Sequence, residues 1–481
     1  MTPTTEPGAP TLADILGHVH LIGIGGAGMS AIARILLARG VTVSGSDAQE
    51  SATTGALREA GARIFIGHDA ANVTGATTLV VSTAIRESNP ELAAARAAGA
   101  RVLHRSEALA ATMTGKRPIA IAGTHGKTTT TAMVTVMLQH AGAEPSFAVG
   151  GNVASLGVNA EYGQGEDFVF EADESDGSFV NFDPAIEVIT NAEADHLDHY
   201  GSAEAVFAAF HRFIDKLQPG GTLIVCADDP GAMSLIATHP EVRVITYGTD
   251  PGADVQLMEY TAHGAGSASR IRDRAWGGDY RLNLQVPGEH NMRNALAAYC
   301  VGRSIGVSAG KITTALGTFS GAARRFELKG EAGGVRVFDD YSHHPTEVRV
   351  ALQAARAVAG SGRVLVLFQP HLYSRTREFA AEFADALQLA DRVWVLPIYG
   401  AREDPVPGVS NALITERSAG DALVAAEREE AIAAVLQTAQ DGDIILTMGA
   451  GDVTQLGPLV VDGLRHATGN AVRDESRGAE S

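Results

Sequence analysis

The stretch Ile119-Ala-Ile-Ala-Gly123-Thr-His-Gly126-Lys127-Thr128-Thr-Thr-Thr131 decides how this chain folds. It begins as an apolar run of strand character that stops at Gly123, and residues 132–140 continue as a helix. A strand that feeds a glycine turn and then a helix N-terminus makes a phosphate cradle. Unpaired backbone N–H groups and the positive end of the helix dipole converge there. Lys127 can reach the outer phosphates, and the hydroxyl of Thr128 or Thr129 can hold Mg2+. The turn is shorter than the common P-loop, with just Thr124 and His125 between Gly123 and Gly126. The pattern still predicts a P-loop domain that binds and hydrolyses a nucleoside triphosphate.

Working outward, 481 residues are too many for one ordinary core, and about three domains are expected. The formal net charge of -19 argues against a nucleic acid or an anionic membrane surface as partner. Small phosphorylated substrates remain compatible, since glycine turns and a few Lys or Arg suffice to hold them. Only Cys226 and Cys300 are present, which fits a reducing cytoplasm and no disulfide framework. Residues 1–10 lack the apolar core of a signal peptide, and no apolar run reaches spanning length, so no membrane insertion is expected. The polar residues from about 469 onward read as a disordered tail.

Strand and helix patterns alternate in three blocks, which predicts an α/β protein of three domains, each on an open, mostly parallel sheet. The first domain, 1–115, is Rossmann-like. Its strand 19–24 runs into Gly23, Gly25, Gly26 and Gly28, a helix follows over 29–39, and a strand over 41–43 ends in Ser44-Gly-Ser-Asp47. A further strand ends at Ser82 and Thr83. The glycine spacing is the dinucleotide fingerprint, with Asp47 near where a ribose-binding acid would sit. It suggests NAD(P), but the same turn serves any diphosphate, including a nucleotide sugar.

The second domain, 116–326, opens with the phosphate loop. Two of its strands end in Glu171-Ala-Asp-Glu-Ser-Asp176 and Asn191-Ala-Glu-Ala-Asp195-His196-Leu-Asp198. Ligands gather at the carboxyl ends of parallel strands, so both clusters belong on the edge that carries the loop. A triphosphate with Mg2+ needs oxygen ligands and a positive clamp. Thr128 or Thr129 with Glu171 fits one ion, and His196 could reach a second. Asp173, Glu174 and Asp176 compete with Glu171, but mostly read as a solvated charged loop. Residues 264–278 read as a loop or hairpin, and His290, Asn291 and Asn294 open a helix. Arg324 and Arg325 follow Gly321 at a junction, placed to swing onto a phosphate as an arginine finger does. The third domain, 327–481, is again Rossmann-like, with clusters at its strand ends that include Asp340, Tyr341, His343 and Arg375.

Gly-Thr-His-Gly-Lys-Thr-Thr-Thr, Glu-Ala-Asp-Glu-Ser-Asp, Asn-Ala-Glu-Ala-Asp-His-Leu-Asp, His-Asn-Met-Arg-Asn-Ala, Arg-Arg-Phe, Asp-Asp-Tyr-Ser-His-His-Pro-Thr-Glu and Met-Gly-Ala-Gly-Asp occur in this order. Together they resemble the bacterial Mur ligases over about residues 19–464, most of all the branch that adds L-alanine. The resemblance implies a UDP-substrate domain, a central ATPase and a C-terminal amino-acid domain. It implies that ATP, UDP-N-acetylmuramate and L-alanine give ADP, phosphate and the UDP-muramoyl-alanine conjugate in peptidoglycan precursor synthesis.

Residue by residue, the resemblance assigns Gly123, Thr124, His125, Gly126, Lys127, Thr128 and Thr129 to the ATP phosphates. It puts Thr128, Thr129, Glu171 and His196 on Mg2+, and His290, Asn291 and Asn294 on the adenine side. Arg324 and Asp340 would complete the ATP site. Lys127, His196 and Arg324 would be the catalytic groups. Gly23, Gly25, Gly26, Gly28, Ser44, Asp47, Ser82 and Thr83 would hold the UDP sugar, and Tyr341, His343 and Arg375 the amino acid. The carbamylated lysine of several sister ligases is not expected, because His211 stands near its place and the first lysine is Lys216. Alternatives are a ligase that recycles murein tripeptide onto the same UDP sugar, an NAD(P) oxidoreductase, and a non-catalytic UDP-sugar sensor.

Overall fold

The computed structural model describes residues 10–151, 156–401, 403–418 and 423–478. Three sheets carry the fold. The first orders its parallel strands Arg63–Ile66, Val43–Asp47, Val19–Ile22, Thr78–Val81 and Arg101–His104. The second has ten strands, and its centre is Thr222–Cys226, Ile186–Ile189, Arg117–Ala122 and Asp167–Glu171. These four are parallel neighbours in that order. The third runs Glu327–Ala332, Val335–Asp340, Ile444–Met448, Val364–Phe368, Arg392–Val395 and Leu423–Ala425. All but its first pairing are parallel.

The expected α/β class is therefore observed, and the strand sequences show why. Strands covered by helices on both faces are near-continuous apolar runs rather than alternating ones. Val19–Ile22, Ile186–Ile189, Val364–Phe368 and Ile444–Met448 are buried at every position. The helix Ala27–Ala38 buries Met29, Ile32 and Leu36, an apolar stripe at helical spacing, in the first sheet's core, and sets Ala31 and Ile35 in the core of the second.

The chain forms two compact units. One comprises residues 1–258, 271–280 and 293–316, and the other 259–270, 281–292 and 317–481. The first sheet and the phosphate loop thus share a unit. Asn159 ties them by donating to the Ala27 carbonyl at 2.9 Å and to Ser30 at 3.2 Å.

Two local expectations are corrected. The second strand is Val43–Asp47, so Ser44 lies inside it rather than after it. Three β-branched residues, Val41, Thr42 and Val43, suggested an earlier strand, but the extended backbone continues through Gly45, where a Cβ would meet Ile24 and the Leu21 carbonyl within 2.7 Å. Of the loop or hairpin read over residues 264–278, the hairpin is observed: Gly266–Asp273 neighbours Val255–His263 in the sheet, and its alternate residues are buried despite its polar composition. The last helix, Leu456–Gly478, continues over most of the segment read as a disordered tail. Residues 479–481 lie outside the described residues.

Candidate active site

The strand Arg117–Ala122 ends at Gly123, whose φ of 127° is open to glycine alone. A Cβ there would sit 2.2 Å from the Thr190 hydroxyl. Gly126, at φ 82°, makes the second turn and caps the helix Lys127–His140. The helix begins at Lys127, five residues before the predicted start, because Gly126 turns the backbone directly into it. A Cβ on Gly126 would come within 2.8 Å of Asn294 Oδ1, so Asn294 lies against the loop.

The loop is pinned from the neighbouring strand end. Asn191 Oδ1 accepts from the His125 N–H at 2.7 Å, while Asn191 Nδ2 and the Thr190 hydroxyl both donate to the His125 carbonyl. The Thr124 hydroxyl accepts from the Glu193 N–H at 2.9 Å, which makes Thr124 a brace of the loop. Thr190 and Asn191 were not singled out from the sequence. Their signal is position alone: they end the strand that neighbours the loop strand.

Lys127 Nζ donates to the Gly123 carbonyl at 2.7 Å and lies 2.7 Å from Glu174 Oε2. Thr128 donates to both Glu171 oxygens, at 3.1 and 2.9 Å, and Gly150 N–H donates to Glu171 Oε2 at 2.9 Å. His196 Nε2 stands 3.6 Å from Glu174 Oε1 and 3.7 Å from Asp195 Oδ2. His196 has φ 56°, a left-handed backbone uncommon for a non-glycine residue and frequent where a side chain is aimed for function. Lys127, Thr128, Glu171 and His196 are therefore brought together. Thr129 is buried beside them at 7% exposure.

The reading of residues 173–176 as a solvated loop is corrected. Glu174 is 2% exposed and joins Lys127 to His196. Asp173 takes an ion pair from Arg105 at 2.8 Å, and Asp176 from the same guanidinium at 3.1 Å. The loop is drawn inward because Lys127 and Arg105 are part-buried cations that need partners.

Burial works against the Lys127 ammonium, but the charges of Glu174, Asp173 and Glu171 outweigh it and raise its pKa. Burial likewise opposes ionisation of Asp173, yet Lys127 and Arg105 pull that carboxyl down to about 2. Burial disfavours the His196 cation, and Glu174 and Asp195 reverse this and raise its pKa. Glu171 moves the other way: burial, with the nearby Asp173 charge, pushes its carboxyl up against the pull of Lys127, Thr128 and Gly150. A buried carboxylate paired with a threonine hydroxyl is a hard, all-oxygen donor set, which suits Mg2+.

In the first sheet, Gly25 N–H donates to Asp47 Oδ2 at 2.9 Å, so Asp47 is engaged by the glycine turn itself. A Cβ on Gly25 would sit 2.9 Å from that oxygen. Gly23 takes φ 73°, and Gly28 faces Arg105, whose guanidinium lies 3.7 Å from where a Cβ would be. Gly26 caps the helix Ala27–Ala38. Ser82 is half-buried and Thr83 exposed, just beyond the strand Thr78–Val81. Ser44 does not fit a substrate contact. It is buried and its hydroxyl lies 2.8 Å from both His18 Nε2 and His20 Nδ1. Arg105 was missed, its one sequence signal being a basic residue directly after the strand Arg101–His104.

In the second unit, Arg324 has φ 58° and donates to the Gly449 and Gly451 carbonyls at 2.6 and 3.1 Å. Its guanidinium stacks on Tyr341, 4.7 Å from the ring centre. Asp340 has both oxygens committed, one to the Phe326 N–H at 2.8 Å and the other to Ser342. It braces the Arg324–Phe326 turn rather than offering a free ligand to ATP. Asn291 is similarly occupied, donating to the Pro287 carbonyl at 2.7 Å, and His290 packs against Gly288.

Tyr341 and His343 meet edge to face at 5.2 Å, and His371 meets His343 at 5.7 Å. Burial drives the His343 pKa down to about 3, and the positive charge of Arg375 adds to that push. The structure thus gathers Tyr341, His343 and Arg375, with His371 as a member that the sequence reading passed over.

Among the described residues no helix is long and apolar enough to cross a membrane. The whole chain is similar to known proteins. Three family models match it: the Mur ligase family catalytic domain over residues 18–117, the Mur ligase middle domain over 121–302, and the Mur ligase glutamate ligase domain over 324–451. A UDP-N-acetylmuramate–L-alanine ligase of Paenarthrobacter aurescens is 57% identical over 93% of this chain and 97% of its own. The UDP-N-acetylmuramate–alanine ligase structure from Thermotoga maritima superposes with a TM-score of 0.79 at 31% identity, covering 94% of this chain and 99% of that one. A murein peptide ligase from Psychrobacter arcticus superposes at 0.69 with 25% identity, covering 93% and 98%. With the glycine cradle, its lysine and the Thr128–Glu171 pair arranged as described, and with similarity running from one end to the other, the chain belongs to the Mur ligase family.

Proposed function

We propose that this chain is an ATP-dependent ligase that joins L-alanine to the carboxylate of UDP-N-acetylmuramate in peptidoglycan precursor synthesis, acting in the cytoplasm. The observation that carries this reading is the Lys127–Thr128–Glu171 cradle in a chain 57% identical to an alanine-adding enzyme along nearly its whole length.

A carboxylate does not acylate an amine until one of its oxygens becomes a leaving group. The sugar's lactyl carboxylate attacks the γ-phosphorus of ATP, the bond to the bridging oxygen breaks, and ADP departs. The alanine amine then adds to the acyl phosphate carbonyl and loses a proton, and inorganic phosphate leaves as the amide forms. Both steps depend mainly on positioning and on neutralising anionic charge.

Each group here has a physical role in that sequence. The backbone N–H groups at Gly126 and Lys127 receive phosphate oxygens at the helix start. Lys127 Nζ exchanges Glu174 for a phosphate oxygen. Thr128, Glu171 and His196 would hold Mg2+, which supplies positive charge for the phosphate oxygens. Glu171 and its hydroxyl partner are already in contact, so the ligand oxygens are in place before the ion arrives. The Gly23–Gly28 turn and Arg105 suit the diphosphate of the UDP sugar. The Tyr341, His343 and Arg375 group suits a small amino acid, with Arg375 clamping the carboxylate in bidentate fashion. Asp340, with both oxygens engaged, acts through the backbone that carries Arg324.

The test is phosphate release by the purified protein with Mg-ATP and UDP-N-acetylmuramate, with alanine or with murein tripeptide added. Alanine-dependent release with the conjugate identified by mass supports the reading. Release that needs tripeptide would assign the chain to the recycling branch, which its 25% identity to a murein peptide ligase keeps as the second reading. No release with either acceptor would favour a UDP-sugar sensor.

A further inference from the structure

The first sheet holds a buried polar network that the ligation chemistry leaves unused. At its centre is Glu91, fully buried in the first turn of the helix Pro90–Ala97. Glu91 Oε1 accepts from Asn72 Nδ2 at 2.6 Å. Glu91 Oε2 accepts from the Ser46 hydroxyl at 2.6 Å and lies 3.1 Å from His68 Nδ1. Ser46 Oγ is 3.0 Å from that same nitrogen. His20 Nε2 is 3.8 Å from Oε1, beyond hydrogen-bond reach.

An isolated buried carboxylate is costly, and this one is provided for by Ser46, His68 and Asn72. Burial disfavours its charge, but His20, Ser46 and Asn72 outweigh that and hold the carboxyl down to about 2. The charge is therefore a stable feature of the fold, and it dictates the state of its partners. A carboxylate only accepts hydrogen bonds. The proton of a neutral His68 must therefore sit on Nδ1, which leaves Nε2 as an acceptor.

Two features connect His68 to a ligand. It reaches the surface, with its side chain 29% exposed while Glu91 is fully enclosed. It also follows the strand Arg63–Ile66 at the carboxyl edge of the sheet, where open α/β sheets bind ligands. Gly67 N–H donates to the Asp47 carbonyl at 2.8 Å, and Asp47 in turn holds the glycine turn through Gly25. His68 thus stands two hydrogen-bonded links from the turn assigned to the diphosphate.

We infer that Glu91 is a positioning residue for the UDP sugar: it holds His68 in the tautomer whose Nε2 accepts from a donor of the nucleoside, a ribose hydroxyl or the base N–H. This rests on the assignment of the first sheet to the UDP sugar. It adds a buried residue that touches no substrate and still sets substrate affinity.

Glu91→Gln tests it with almost no change of shape. Asn72 requires an acceptor, so the new side-chain amide turns its carbonyl to Asn72 and its NH2 group to Ser46 and His68. His68 Nδ1 then becomes the acceptor, and the proton moves to Nε2. Nitrogen NMR of isotope-labelled histidine in the full-length protein should report the Nδ1–H tautomer for His68 in the wild type and Nε2–H in E91Q. The KM for UDP-N-acetylmuramate should rise about 10-fold, the factor for one lost hydrogen bond, with kcat and the KM for ATP unchanged within about twofold. His68→Ala, at a part-exposed site, should raise the same KM, and E91Q should add nothing in the H68A background. Unchanged tautomer or unchanged KM in E91Q overturns the inference, as does an equal fall of all kinetic constants or full additivity with H68A. If the wild type itself does not use the UDP sugar, the functional assignment fails instead, while the tautomer result still reads the network.

Discussion

Glu187 provides a quantitative test of how this core is built. It lies mid-strand in Ile186–Ile189, between Leu223 on one neighbour and Ala120 on the other. Ile189, two residues on and therefore on the same face, belongs to a core cluster with Ala120, Leu223, Phe170 and Phe213. Glu187 is 0% exposed, and neither of its carboxylate oxygens has a hydrogen-bond partner. Burial pushes its pKa well above the ordinary 4.5. Above pH 4.5 the unfolded chain releases this proton while the folded chain retains it. The folded state then binds more protons than the unfolded one, so stability falls by about 1.4 kcal/mol per pH unit until the folded pKa is reached. The neutral acid carries a further cost of about 1–3 kcal/mol as an unsatisfied buried polar group.

Glu187→Met keeps an unbranched chain of similar size and removes both costs. It should stabilise the protein by about 2 kcal/mol near pH 5, about 4–8 °C in melting temperature, and by more at higher pH. Glu187→Gln separates the two contributions. It keeps an unsatisfied polar group and should gain little near pH 5, yet it should lose the pH slope. Thermal melts of the three proteins from about pH 5 to 8 decide the matter. E187M melting below the wild type, or a gap that does not widen with pH, would refute the reasoning.

Three further outcomes follow from the site. Lys127→Met removes the ammonium that faces the cradle and should lower kcat by about 100- to 1,000-fold in phosphate-release assays. UDP-sugar affinity by calorimetry should remain unchanged. Glu171→Gln leaves a hydrogen bond to Thr128 but removes a charged oxygen ligand. The Mg2+ concentration for half-maximal rate should rise about 10-fold or more in a metal titration. Arg375→Lys keeps the charge and loses the fork, so the alanine KM should rise about 10- to 100-fold while kcat at saturating alanine stays near the wild-type value.

Much of this architecture was legible because parallel strands announce themselves as apolar runs and glycines punctuate their ends. The strand that begins at Val19 and the one that ends just before Ser82 fall where the pattern placed them. The elements read less well are those whose side chains do not follow the pattern. Ser44 and Ser46 are buried within a strand, paired to histidines and Glu91, and their polarity hid the strand from a hydropathy reading.

At the site, Lys127, Thr128, Glu171 and His196 could be named because each stands directly at a strand or helix end. The parts that depend on long-range pairing could not. Glu174 looks like any acid in a charged loop until Lys127 is seen 2.7 Å away. Arg105 lies 68 residues from Asp173 in sequence. Asp340 was legible as a strand-end acid, but its commitment to Phe326 and Ser342 is a fact of geometry.

The central claim is that ATP activates the sugar carboxylate by phosphorylating it before alanine attacks. It is tested most directly with UDP-N-acetylmuramate whose lactyl carboxylate carries heavy oxygen in both positions. Turnover with unlabelled Mg-ATP and alanine should deliver one heavy oxygen to each inorganic phosphate released and leave one in the amide of the conjugate, as read by mass spectrometry. Phosphate free of label, with both heavy oxygens retained by unchanged sugar, would show that ATP is hydrolysed without activating this carboxylate and would contradict the account.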